Sequence, residues 1–593
     1  MNVSEELSLQ NIGACGSETF KQAQELAIEG RKEAFDLYQK SALQGHPIAA
    51  CMVSRYYGSG LFTTDPFGTV MWAVYADLCG YIPATGWLKL HYSCRDTPGK
   101  GEFYRYCASI SETNGIAAFL AGMACYTGDG TEFDPEKAYV FFERSHSLGN
   151  PDGSTEKALC LMRGSGVRRD REAGLKLLKE TAETGCVRAI LKYAWCLEHG
   201  YGIEKDRKAA LEIYEKVANK RIPRGMYEAG RCCLDGVGTE KDGNMAYGWF
   251  LAGQAYGSPE CDFGMARCML GGIVEDKKEE GFKLLTEASD KRCPEAVFML
   301  GQWYSKDRWN CRTDVRKAFS HFREAADMSY LHAEAYVSQC YSNGDGTKKD
   351  PSLAFRYALR AAAHGDPESC YNAGEALLTG TGVKKDEARG FTLCSLAADD
   401  GYMKAQFTVA NCYLRGKGVQ KDSAKGFEIH RMLAGKGFIK SVFHVAEAYY
   451  IGDSVKQDYN EAFRLFTEGA SKDNALCQYY LGECYMKGHG TKKDEDAAMK
   501  WYRKAASQGH VISKKIVEER KTQAILEDES PFTTFEKSAR SGNAQSMYIL
   551  GRYYEDGIGI EKDLRKAKEW YSKAKKRGNA AAKRALEALE KKE

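Results

Sequence analysis

A Gly-x-Gly pair returns every 36 residues through most of this 593-residue chain, and no other feature narrows its fold so far. The pair stands at Gly128/Gly130, Gly164/Gly166, Gly200/Gly202, Gly236/Gly238, Gly344/Gly346, Gly380/Gly382, Gly416/Gly418 and Gly488/Gly490, with shifted members at Gly58/Gly60 and Gly557/Gly559. A period of that size belongs to a supersecondary unit too small to bury its own apolar face, so it must stack on copies of itself. Such a chain is expected to build a long surface rather than a reaction chamber.

The copy from Ala475 to Gly509 shows how one unit is made. Tyr480, Leu481, Cys484 and Tyr485 fall near one stripe of a first helix, which should end at Gly488. Asp494 follows, and its counterparts Asp134, Asp170, Asp206, Asp242, Asp314, Asp350, Asp386, Asp422 and Asp458 share the grid. A carboxylate there can accept the unpaired amides of a second helix and sits at the positive end of its dipole. Four residues later comes a nearly bare position: Ala138, Gly174, Ala210, Ala246, Ala318, Ala354, Gly390, Gly426, Ala462, Ala498. Close helix contact needs such a column. Farther along, the bulky pairs Phe141-Phe142, Trp249-Phe250, Trp501-Tyr502 and Trp570-Tyr571 supply the complementary volume. The period and the helical stripes predict an all-α protein of antiparallel helix pairs.

Cysteine follows the same grid. Cys160, Cys196, Cys232, Cys268, Cys340, Cys412 and Cys484 occupy one slot, which Ala376 and Ala448 also fill. Packed helices stand about 8 to 10 Å apart, beyond the roughly 4.4 to 6.8 Å between Cα atoms that a disulfide tolerates. Equivalent cysteines in successive units should therefore remain free, acting as small buried apolar groups in a reducing compartment. No CxxC occurs, and neither a metal site nor a cofactor is expected.

A net charge of +3, from 84 basic and 81 acidic residues, gives no field to draw nucleic acid or acidic lipid. The segment Met1–Gly16 has acidic Glu5 and Glu6 and no apolar core of a secretory signal. No stretch approaches the roughly 20 apolar residues that cross a bilayer. These features lead us to expect a cytoplasmic protein without membrane insertion.

Catalysis finds little support in the pattern. A dinucleotide fingerprint needs a strand before the glycines and a third glycine opening a helix, whereas this loop follows a helix. The aspartates recur along the whole chain, while an acid–base pair would occur once. Histidines such as His199, His321, His444 and His489 have no Ser or Cys at a meaningful spacing.

The run Leu481-Gly482, Tyr485, Gly488, Gly490, Asp494, Ala498, Trp501-Tyr502, Lys504-Ala505-Ala506 and Gly509 resembles the Sel-1-like repeat, a relative of the tetratricopeptide repeat. So does Leu550-Gly551, Tyr554, Gly557, Gly559, Asp563, Lys566-Ala567, Trp570-Tyr571 and Lys573-Ala574. The resemblance implies a right-handed α-solenoid, a superhelix of antiparallel helix pairs, acting as a scaffold or adaptor and not as an enzyme. About 15 repeats are expected over 32–578, between a leader or cap at 1–31 and a capping helix at 579–593. The pattern degenerates near 80–115, around Trp87, Cys94 and Cys107, and near 510–542, where Pro531 should open a helix. A one-residue slip at Gly301 is restored by the loop 305–314, which holds Trp309 and Cys311.

Binding is expected where the repeat varies. Beside the always small column Ala194, Gly230, Ala266, Ser338, Gly374, Ala410, Ala446 and Gly482 runs a varied one: Trp195, Arg231, Arg267, Gln339, Glu375, Asn411, Glu447, Glu483 and Arg552. One step around a helix is about 100°, so the varied column should escape the packing and face a partner protein or peptide in the groove. Two other readings stand beside the scaffold. One is a hydrolase or amide-binding activity, as in some cysteine-rich bacterial relatives; the other is an adaptor for chaperone tails or ubiquitin-ligase substrates.

Overall fold

The computed structural model describes residues 17–28, 33–59, 65–78, 99–305, 313–528 and 530–590. Among them are 32 helices and no strand, so the fold is all-α, and its pairs repeat with the 36-residue period. Gly60, Trp87, Cys94, Trp309, Cys311 and Met1–Gly16 lie outside the described residues. The chain divides into two compact units, Met1–Lys421 and Asp422–Glu593.

Local chemistry explains where each helix begins and ends. In the copy Ala475–Lys487 plus Glu495–Ser507, Gly488 closes the first helix in the left-handed conformation at φ 76°. The Ala497 amide donates to Asp494 Oδ1 at 2.9 Å, capping the second helix. The same bond forms at Asp134, Asp170, Asp206, Asp242, Asp314, Asp350, Asp386, Asp422, Asp458 and Asp563. Most of these caps also donate their own amide back to the preceding helix, as Asp494 does to the Tyr485 carbonyl at 2.9 Å. A single aspartate thus ties both ends of the loop.

Packing within a pair uses the small columns. A Cβ added at Gly482 would come within 2.6 Å of the Tyr502 ring, and at Gly551 it would strike Tyr571. Only the second member of each bulky pair is fully buried: Phe142, Phe250, Tyr502 and Tyr571. Its neighbour is half-buried, and Lys504 and Lys573 lie over Trp501 and Trp570 at 4.3 and 4.5 Å. Gly301 meets Phe322 in the same manner one residue out of step, so the slip is absorbed with its contact intact.

Packing between repeats depends on the second glycine of the loop. At Gly166, Gly238, Gly346, Gly382, Gly418 and Gly490 an added Cβ would press on the first carbonyl oxygen of the preceding second helix, at Pro135, Arg207, Val315, Pro351, Glu387 and Tyr459. The described cysteines are free, and those of the ladder are buried. In the smaller unit Pro531 opens the helix Pro531–Arg540 behind its Ser530 cap. The helix Ala580–Glu590 lays Ala582, Leu586 and Leu589 on the last pair.

Gly490 and Gly559 share φ 70°, but only Gly490 has a neighbour within 4 Å. Gly559→Ala should cost only the left-handed penalty of about 1 kcal/mol, and Gly490→Ala about 3 kcal/mol. Chemical denaturation of both variants measures the difference.

Candidate partner-binding face

First helices of successive repeats lie side by side in the larger unit, and charged side chains bridge them one repeat apart. Arg188, on Val187–His199, reaches Asp152 at 3.2 Å and Glu156 at 2.8 Å on Pro151–Arg163. Arg224, on Pro223–Asp235, lies 3.0 Å from Glu228 and 3.4 Å from Glu260. Arg231 holds Glu198 at 2.6 Å and Glu228 at 2.8 Å. Burial alone would raise the Glu228 carboxyl, but Arg224 and Arg231 outweigh it and hold the group below its ordinary value. Tyr214 adds a hydroxyl donated to Glu198 at 3.2 Å. An ionic lattice therefore crosses this row of helices.

The varied column lies along these first helices and is exposed or half-buried at every position. Trp195 stacks on His199 with centroids 4.5 Å apart. Arg231 and Arg267 are committed inside the fold, Arg267 to Asp235 at 2.8 Å. Gln339 and Glu375 are exposed, while Asn411 donates to the Phe407 carbonyl of its own helix at 3.1 Å. In the smaller unit Glu447 lies 3.5 Å from His444, and Glu483 accepts from the Tyr502 hydroxyl at 2.7 Å and pairs with Lys487 at 2.6 Å. Arg552 pairs with Asp556 at 3.0 Å on its own helix. The column is one face in sequence, but its charges are available to very different degrees.

Sequence reasoning missed a second arrangement within the larger unit. Residues more than two hundred positions apart meet there along a seam. The Tyr126 hydroxyl donates to the Ala363 carbonyl at 2.6 Å, and Arg169 donates to the Leu396 carbonyl at 3.2 Å. Arg169 also pairs with Asp399 at 2.8 Å and Asp400 at 3.0 Å, and Arg171 pairs with Asp400. Position 169 holds arginine in a column that is lysine at 205, 241, 349, 385, 421, 493 and 562. That substitution, with the Asp399-Asp400 doublet, was the available signal.

His364 sits at the seam edge-on to Tyr126, with centroids 5.2 Å apart. Burial first, then Arg163, Lys192 and Arg360, push it down to about 3. Glu334 lies 3.6 Å away, and burial pushes its own carboxyl up to about 7.

Arg231→Ala leaves the buried Glu198 carboxylate without its partner and should cost about 3 kcal/mol. Arg552→Ala, in an exposed pair, should cost less than about 1 kcal/mol by the same denaturation measurement. His364 stays neutral in the folded chain but binds a proton below its ordinary 6.5 when unfolded. Its contribution is complete above that value and is lost as pH falls toward about 3. Thermal unfolding between pH 7 and 4 should show a flatter acid limb for His364→Gln than for the natural sequence.

The model of the Sel1 repeat matches twelve segments: 30–46, 115–150, 158–186, 187–220, 223–252, 294–330, 331–366, 367–402, 404–438, 439–474, 475–510 and 544–579. Among solved structures, the chain is similar to a protective antigen present in uropathogenic Escherichia coli strains displaying an SLR fold. The identity is 20%, over 83% of this chain and 91% of that one, with a TM-score of 0.35. A Sel1 repeat protein from Oxalobacter formigenes matches at 24% identity over 47% of this chain and 96% of that one, with a TM-score of 0.33. The immunity protein Pa5087 from Pseudomonas aeruginosa matches at 22% identity over 37% of this chain and 83% of that one, with a TM-score of 0.29. Among the described residues no helix is long and apolar enough to cross a membrane. Sel1 repeat proteins in general bind other proteins and are typically non-catalytic. Matched by that repeat over more than half of its length, the chain belongs to the Sel1 repeat family.

Proposed function

We propose that this protein is a non-catalytic scaffold or adaptor that holds partner proteins or peptides along the face of its first helices. The observation that carries this reading is a regular series of first helices whose varied column is exposed or half-buried while the small column beside it is buried throughout. In this reading the repeats of 32–578 form the binding array, and 1–31 and 579–593 cover its ends.

Chemistry at the cysteines is disfavoured by their surroundings. Burial pushes the Cys160, Cys232 and Cys484 thiols up to about 12 and those of Cys196, Cys268 and Cys340 up to about 11. A hydrolase nucleophile would need the opposite shift. Buried thiols at equivalent positions also suit a reducing compartment such as the cytoplasm.

Trp195, Gln339, Glu375 and Arg552 are the most accessible positions of the column. A photo-crosslinking residue placed at each should capture the same partner from native cell extract. Exposed Lys216, on the second helix Arg207–Asn219, should not capture it. Equal capture at Lys216, or none at the four column positions, would overturn the reading.

A further inference from the structure

The seam encloses a cavity of about 670 Å³, a volume typical of small-molecule sites. One wall is the loop from Gly164 to Arg169, and the facing wall comes from the helices Pro351–Ala363 and Glu387–Asp399. The other glycine loops share its backbone form, so the loop alone does not mark a site. What distinguishes this one is the second wall and the charge between the two.

Four arginines line the cavity, at 163, 168, 169 and 389, against two carboxylates, Glu136 and Asp399. Arg169 and Asp399 answer each other. Arg163 donates to the neutral Tyr126 hydroxyl at 3.4 Å, and among the described residues no acidic side chain pairs with Arg163, Arg168 or Arg389. Ser165, also in the lining, is 6% exposed and its hydroxyl has no hydrogen-bond partner. A buried hydroxyl without a partner is costly, while the exposed guanidinium groups of Arg168 and Arg389 stand free of carboxylates at the cavity. A ligand that brings several anionic oxygens removes that cost and meets those groups.

We propose that the seam cavity binds a small phosphate-bearing anion, held by Arg163, Arg168 and Arg389 with the Ser165 hydroxyl as a further donor. A phosphate group suits the site better than a single carboxylate. It carries close to two charges and three acceptor oxygens, and guanidinium forks match its geometry. Because the ligand touches both walls, it also holds the seam shut. This inference is independent of the partner-binding reading.

Isothermal titration of the full chain at constant ionic strength, with pyrophosphate and with inorganic phosphate as probes, tests it. Saturable binding of one pyrophosphate per chain is expected, tighter than that of inorganic phosphate. Arg168→Glu with Arg389→Glu should weaken it about tenfold or more. Both side chains are exposed and outside the fold's ion pairs. If that variant fails to fold, Arg168→Gln with Arg389→Gln replaces it. Ser165→Ala should weaken binding while leaving the ligand-free melting temperature unchanged or raised. Absence of saturable binding, or equal affinity in the arginine variants, would overturn the proposal.

Discussion

At Gly166, Gly238, Gly346, Gly382, Gly418 and Gly490 successive repeats meet where the loop glycine lies against the first carbonyl oxygen of the preceding second helix, and that approach leaves no room for a Cβ. The contact fixes how far one pair can rise above the last, and with it which side chains of neighbouring first helices can touch. The aspartate cap and the ring-on-glycine packing then make each pair stiff enough to transmit the spacing. Apolar burial supplies the general attraction, but steric exclusion at these glycines selects the geometry.

Most of this was legible in the sequence because it repeats. A role enforced at every turn of the pattern, such as the cap at Asp494, the left-handed glycine at Gly488 or the thiol slot at Cys484, announces itself by its spacing. What happens once in the chain was hidden. The pairing of Arg231 with Glu198 depends on the rotation between two repeats, and the meeting of Arg169 with Asp399 depends on that rotation summed over many. Neither can be read from one period. The varied column was legible as a column, but that Arg231 and Arg267 pair with carboxylates of the neighbouring first helix was not.

The larger unit therefore offers two kinds of inner surface. From Asp152 to Glu260 the row of first helices is stitched by ion pairs, several of them poorly exposed, and a partner would have to compete with those bonds to use the charges. At Gln339 and Glu375 the same row is exposed and crossed by no ion pair among the described residues. A recognition surface built on one repeating scaffold has thus been differentiated by which polar groups are already paired, with little change to the backbone.

The seam alters how the larger unit should assemble. A purely linear stack has only neighbour contacts, so its folding can begin anywhere and spread with low contact order. Bonds from Tyr126 to Ala363 and from Arg169 to Asp399 add links that cannot close until the intervening repeats are in place. Loss of order anywhere along that arc breaks the circuit at both ends, which couples distant repeats into one cooperative block and slows its last step of formation.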